Sequence, residues 1–197
     1  MTNTPSPYMI YGASLEADKM LRREASILQF PISAEDIDDV ARLENQFDIE
    51  QNCSGIAAPQ IGISKKIIVF STPKDLNFKK FRPDWTDSMP KTIWINPSYT
   101  GIEEAGFNED YEACFSVGEV AGVVSRYKKI RYAAYDIKGN FHEGQVEGFL
   151  ARIIQHEIDH LNGILFIDRA MTGSVMSLED YREKRRKALA LEANEAD

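Results

Sequence analysis

The stretch "IIQHEIDHLNG", Ile153–Gly163, decides how the rest of the chain is read. It holds two of the chain's three histidines, four residues apart, with a glutamate directly after the first. At 3.6 residues per turn, positions four apart lie about 40° from each other around a helix, one turn along. His156 and His160 can therefore aim both imidazoles at one ion. Glu157 lies about 100° away around the helix, close enough to reach a water beside that ion without ligating it. Leu150, Ile153, Ile154, Ile158 and Leu161 predict a mostly buried helix from Phe149 to Leu161, with Gly163 as its stop. Two imidazoles and a carboxylate on a buried helix need partners, because unpaired polar burial is costly. A metal supplies them.

A catalytic metal usually takes three protein ligands and keeps one position open. No histidine follows His160. Glu179 opens a charged, exposed-looking helix and makes a poor third ligand. Cys114, in "DYEACFSVGE", is the better candidate, although a lone buried cysteine is more often an inert hydrophobe. The second cysteine is Cys53. The N-terminus lacks a basic region followed by an apolar one, so no export signal is read. A bacterial cytoplasm and free thiols are therefore expected.

With 197 residues, 43 % of them hydrophobic and 27 % charged, the chain suits one soluble domain over residues 1–197. No apolar run approaches the ~20 residues of a membrane span. The net charge of −8 argues against DNA binding. "YREKRRKALA", Tyr181–Ala190, is a local basic patch, read first as a solvated helix face.

"ISAEDIDDVARLENQFDIEQN", Ile32–Asn52, reads as a helix capped by Ser33 and Asp36, with Ile37, Val40 and Leu43 inward. "KKIIVFS" is a short buried strand. "TPKDLNFKKFRPDWTDSMP" is expected to be a polar surface loop, and "TIWINPSYTGIEE" a strand, a turn and a strand. "VVSRYKKIRYAAYDIKG" reads as one strand, with "NFHEGQVEG" returning after a Lys138–Gly139–Asn140 turn. A last helix is expected over about residues 177–192. The fold class is α+β: mostly antiparallel sheets packed around a central metal-binding helix, with N- and C-terminal helices.

Three separated segments together resemble the peptide deformylase family: "CSGIAAPQ" (Cys53–Gln60), "EACFS" (Glu112–Ser116) and "QHEIDHL" (Gln155–Leu161), in that order. "LRREA" near Arg22 and "INP" at Ile95–Pro97 extend the match. The resemblance implies metal ligands at Cys114, His156 and His160 and a general acid/base at Glu157. It implies that the Gln60 amide and the backbone N–H of Phe115 stabilise the negative oxygen of the attacked formyl group. The implied reaction removes the formyl group from N-formylmethionine at the start of nascent polypeptides and releases formate. The implied ion is Fe2+, with Zn2+, Ni2+ or Co2+ also suited to the donor set.

Gly55 and Ile56, Ala113, Phe149 and Ile153 are expected to border the substrate, and Glu112 with Arg126 to steady the Cys114 loop. Ribosome docking through the basic C-terminal helix is a further expectation. Four positions depart from the family's pattern. Cys53 and Ala113 replace glycines, Phe115 a commoner leucine, and Gly118 a common proline. Ala113 would be strained if its backbone needed φ > 0, and a glycine at 118 suggests a looser loop. Two other readings compete: a different amide hydrolase, such as an H-E-x-x-H peptidase, and an inactive homologue that only binds formyl peptides.

Overall fold

The structure is a computed structural model that describes residues 7–50, 53–74, 78–86 and 88–195. Gln51 and Asn52, at the end of the expected N-terminal helix, lie outside the described residues. So do Asp75, Leu76, Asn77 and Asp87 of the expected loop, and both extreme termini.

After α1 (Leu15–Arg22) comes α2 (Ala34–Ile49), opened by a capping box. The Ser33 side chain accepts from Asp36 N at 3.1 Å, and the Asp36 carboxylate accepts from Ser33 N at 2.9 Å. α2 buries Val40, Leu43, Gln46 and Phe47. Ile37 is exposed, against expectation. In the first turn of α2 it lies before the stripe that meets the sheet.

The larger sheet is antiparallel throughout, in the order β1 (Gly55–Ala57), β2 (Ile67–Thr72), β3 (Met89–Gly101), β6 (Lys129–Tyr135), β7 (Phe141–Glu147). β2 reads as a continuous apolar run because both faces are covered. Ile68 and Phe70 pack towards α4 (Gly148–Leu161), while Ile67 and Val69 pack among residues of α2. α4 is buried almost all round. The second sheet has the order β4 (Phe107–Ala113), β5 (Val120–Tyr127), β8 (Met176–Ser177). The described elements are thus α+β, with α4 as the central helix.

Three local expectations change. The run expected as one strand is two, in different sheets. The chain crosses at Lys128, whose N–H donates to Gly106 O and whose carbonyl accepts from Gly148 N. Gln155 of α4 holds the neighbouring Tyr127 backbone, its Oε1 accepting at 3.1 Å and its Nε2 donating at 3.0 Å. The turn expected within "TIWINPSYTG" is a bulge inside β3. Asn96 there has φ 51 and bonds both backbone polar groups of Leu28 at 2.9 Å. The expected polar loop is partly core: around the short α3 (Phe78–Phe81), Trp85 is buried and Arg82 lies over the Phe149 ring at 4.2 Å.

α5 (Phe166–Arg169) follows α4, and α6 (Leu178–Glu195) runs slightly past the expected end. No described helix is long and apolar enough to cross a membrane.

The α2 cap gives a stability prediction. Bonding to Lys65 and then to Ser33 holds the Asp36 pKa at about 2, below the usual 3.8. A depressed carboxylate stabilises the fold above its unfolded pKa and loses that contribution as pH falls through its folded value. Ser33→Ala should cost about 1 kcal/mol in urea unfolding at pH 7. The wild type should lose the Asp36 contribution between about pH 4 and pH 2.

Candidate active site

Three candidate ligands from two elements converge. Cys114 stands where β4 ends and a one-turn helix over Phe115–Val117 begins. His156 and His160 project from one side of α4. The possible ligand atoms of all three lie within 4.8 Å of one another. Cys114 Sγ is 3.2 Å from His160 Nε2. One sulfur and two imidazoles form a donor set suited to a divalent transition metal. Glu157 Oε2 and His160 Nδ1 are buried and have no hydrogen-bond partner among the described residues. A buried carboxylate oxygen without a donor next to such a set fits an ion that brings water with it.

Glu112 governs the approach of strand to helix. Its Oε2 lies 2.8 Å from His156 Nδ1, so an N–H there donates to the carboxylate and leaves Nε2 free to ligate. Arg126 reaches the same carboxylate twice, from Nε and Nη2, both at 2.9 Å. Arg152 adds an Nη1 bond at 2.8 Å. Arg126 also donates to Asp159, which Arg169 grips at 2.6 and 2.8 Å. The expected Glu112–Arg126 pair is therefore a buried one within a larger network. Burial alone would raise the Glu112 pKa. Hydrogen bonds from His156 and Arg126 instead hold it well below the usual carboxylate range.

The two histidines differ in the same field. Burial works against a charge on His156, but the Cys114 sulfur and the Glu112 carboxylate hold its pKa well above normal. Burial pushes His160 well below normal, and repulsion from a charged His156 adds to this. Burial raises Glu157 to about 7, opposed by attraction to His156.

Gly55 makes room for Glu157. A Cβ on Gly55 would lie 2.5 Å from Glu157 Oε1. This adds a steric reason for glycine to the expected one, close approach of a peptide. Gln60 is 2 % exposed. Its Oε1 accepts from Ala57 N at 2.8 Å, which turns Nε2 towards Cys114 Sγ and Ser116 Oγ, each at 3.4 Å.

A cavity of about 510 Å³ opens beside these groups. Gly55, Gln60, Glu112, Ala113, Cys114, Phe115, Phe149, Ile153, His156 and Glu157 all line it. Arg126 and His160 sit behind this lining. Ile56 is not part of this lining: its side chain is fully buried in the core between β2 and α2, so a part in binding substrate would fall to its backbone. Strand alternation turns its side chain away from the face that Gly55 presents. Ala113 is not strained, since Asn96 is the one non-glycine with positive φ among the described residues. Gly118 has a positive φ. At φ 82 and ψ −157 it makes a defined turn that proline, locked near −65°, could not adopt. Cys53 is half-buried, and burial pushes its thiol up to about 12. His142 is exposed and lies 3.4 Å from Asp136.

Sequence reasoning missed Arg152, although its position four residues before His156 placed it on the same helix face. It also missed Ser116, fully buried, whose N–H donates to Cys114 Sγ at 3.4 Å. Leu178, Tyr181 and Arg182 of α6 line the cavity too. No local signal pointed to them, because their approach depends on how α6 returns across the second sheet.

Glu112→Gln keeps the size of the side chain but removes the charge that steadies His156. Metal affinity, measured by competition with a chromogenic chelator, should fall about 10–100-fold.

The sequence profile described as Polypeptide deformylase matches residues 15–175. Peptide deformylase 2 of Rickettsia conorii is 55 % identical over 177 residues, covering 89 % of this chain and 86 % of the relative. Peptide deformylase 1 of Clostridium perfringens is 35 % identical over 158 residues, 78 % of this chain and 93 % of the relative. The Met-Ala-Ser-bound class I type b peptide deformylase of Acinetobacter baumannii superposes with a TM-score of 0.65 at 30 % identity. That match covers 77 % of this chain and 93 % of the solved one. The Thermotoga maritima enzyme gives 0.66 at 27 %, covering 83 % and 96 %. The chain belongs to the polypeptide deformylase family, metal-dependent enzymes that take the formyl group off nascent N-formyl peptides.

Proposed function

We propose that Cys114, His156 and His160 hold the catalytic ion, that Glu157 moves the protons, and that Gln60 and the Phe115 N–H receive the negative charge of the transition state. The observation that carries this reading is the convergence of the three ligand atoms within 4.8 Å beside a buried, unpartnered Glu157 oxygen. α4 is then the central metal-binding helix. The proposed natural ion is Fe2+, with Zn2+, Ni2+ and Co2+ accepted by the same donors.

When bound, the ion supplies a Lewis acid that acidifies water and polarises a carbonyl. Glu157 takes the proton of the attacking water and returns it to the departing amine, which must be protonated to leave. Its burial beside Gly55 keeps bulk water from competing for that proton. As the formyl carbon becomes tetrahedral, its oxygen gains charge and needs donors already aimed at it. The Gln60 amide, locked through its own oxygen by Ala57 N, costs no reorganisation. Among the described residues, the outer edge of β4 carries no strand. An extended peptide can pair there beyond Ala113; the Acinetobacter relative was solved with Met-Ala-Ser bound. Phe149 and Ile153 then wall the methionine side chain, and Gly55 lets the peptide backbone approach.

We also propose that residues 1–197 act as one domain in a bacterial cytoplasm, and that α6 docks on the ribosome. On α6, Lys184 and Arg185 already contact β4, at Tyr111 and Asp110, so a ribosome contact falls to outward residues such as Arg186.

Anaerobically purified, iron-loaded protein should release formate from formyl-Met-Ala-Ser and leave Met-Ala-Ser uncut. Glu157→Ala should lower kcat about 10²–10⁴-fold with metal retained. Equal formate from that variant would remove Glu157 from the chemistry. Gly55→Ala should push Glu157 aside and cost about a hundredfold in kcat, with metal content again unchanged.

A further inference from the structure

We propose that α6 forms a wall of the substrate cleft and that Arg182 on it selects for acidic residues shortly after the formylmethionine. This rests on the reading of the cavity as the peptide site. Leu178, Tyr181 and Arg182 line the same cavity as Cys114, His156 and Glu157.

α6 is held firmly in that position. Leu178 N donates to Glu119 O at 2.9 Å, and β8, immediately before it, pairs with β5. The Tyr181 ring lies 5.1 Å from that of Tyr111 on β4. Lys184 Nζ donates to the Tyr111 hydroxyl at 2.7 Å, and Arg185 lies 3.5 Å from Asp110. One helix face is thus fastened along β4, the strand whose open edge a peptide would use.

The charges on the cleft wall then differ in availability. Arg82 pairs with Asp84 and Asp110. Arg152 pairs with Glu112. Arg182 is exposed and has no acidic partner among the described residues; Glu119 lines the same cavity, and Glu179 borders the adjoining rim, neither of them paired with it. A guanidinium left free at the edge of a cleft attracts a carboxylate and repels an ammonium, and it does so more strongly at low salt. A peptide paired along β4 would bring its residues after methionine past Tyr111 and Tyr181 to this group.

The test uses the full-length, metal-loaded enzyme and the peptides formyl-Met-Ala-Xaa-Xaa, with Xaa as Glu, Ser or Lys. The readout is the ratio of kcat/KM for the Glu peptide to that for the Lys peptide. A ratio taken on one preparation cancels any loss of active fraction. The wild type should favour Glu about two- to fivefold at low ionic strength, less at high salt. Arg182→Gln should bring the ratio close to one, and Arg182→Glu should invert it. A wild-type ratio of one, or a ratio that neither variant moves, overturns the role of Arg182. Formate from none of the three peptides would instead overturn the reading of the site itself.

Discussion

The buried Glu112 carboxylate is the interaction on which the rest of the site depends. An ionised carboxylate taken out of water costs several kcal/mol unless its lone pairs are filled. Here His156, Arg126 and Arg152 fill them, with bonds of 2.8–2.9 Å. Each donor comes from an element that must be fixed relative to β4. Arg126 belongs to β5, while Arg152 and His156 sit one turn apart on α4. Glu112, on β4, lies two residues before Cys114, which follows the end of that strand. One anion therefore sets the distance between the sulfur and the two imidazoles. Such a pair is weak evidence for stability but strong for geometry, since any other spacing strands a charge.

Around that anchor, the burial of α4 has two consequences. It brings partners to several polar side chains on the helix: the Tyr127 backbone to Gln155, Arg126 and Arg169 to Asp159, and Glu112 to His156, while Glu157 Oε2 and His160 Nδ1 stay without one among the described residues. It also places Glu157 at the wall of the cavity, where burial lifts its pKa to about 7. The two sheets meet through the same helix, because Gln155 grips the place where the chain leaves one sheet for the other. Packing and chemistry are thus not separable on α4.

Much of this was legible in the sequence, for identifiable reasons. The helix period fixed the mutual facing of His156 and His160, and three ordered motifs brought Cys114, Gln60 and Glu112 into the same picture. The pairing of Glu112 with Arg126 could be anticipated as a charge pair. Other features were not legible. Strand periodicity cannot reveal that a run of β-forming residues changes sheets at Lys128, because both halves keep the same local pattern. It likewise could not show that Trp85 and Arg82, in a stretch of loop composition, are drawn inward by the start of α4. Ile56 was named beside Gly55, but alternate residues of a strand face opposite sides, and its side chain lies in the core. Ser33 and Asp36 were read correctly because a capping box is local, needing nothing beyond four consecutive residues.

The open edge of β4 has a cost outside catalysis. A strand with unpaired backbone groups on its rim is a template for any other extended chain, including the same strand of a second molecule. β4 reads "FNEDYEA"; Asp110 and Glu112 on it are already paired with arginines, while Glu109 is exposed. Two such edges brought together would bring one exposed Glu109 towards the other, which opposes pairing. A protein that must offer an edge to peptides of many sequences can in this way remain a poor partner for itself.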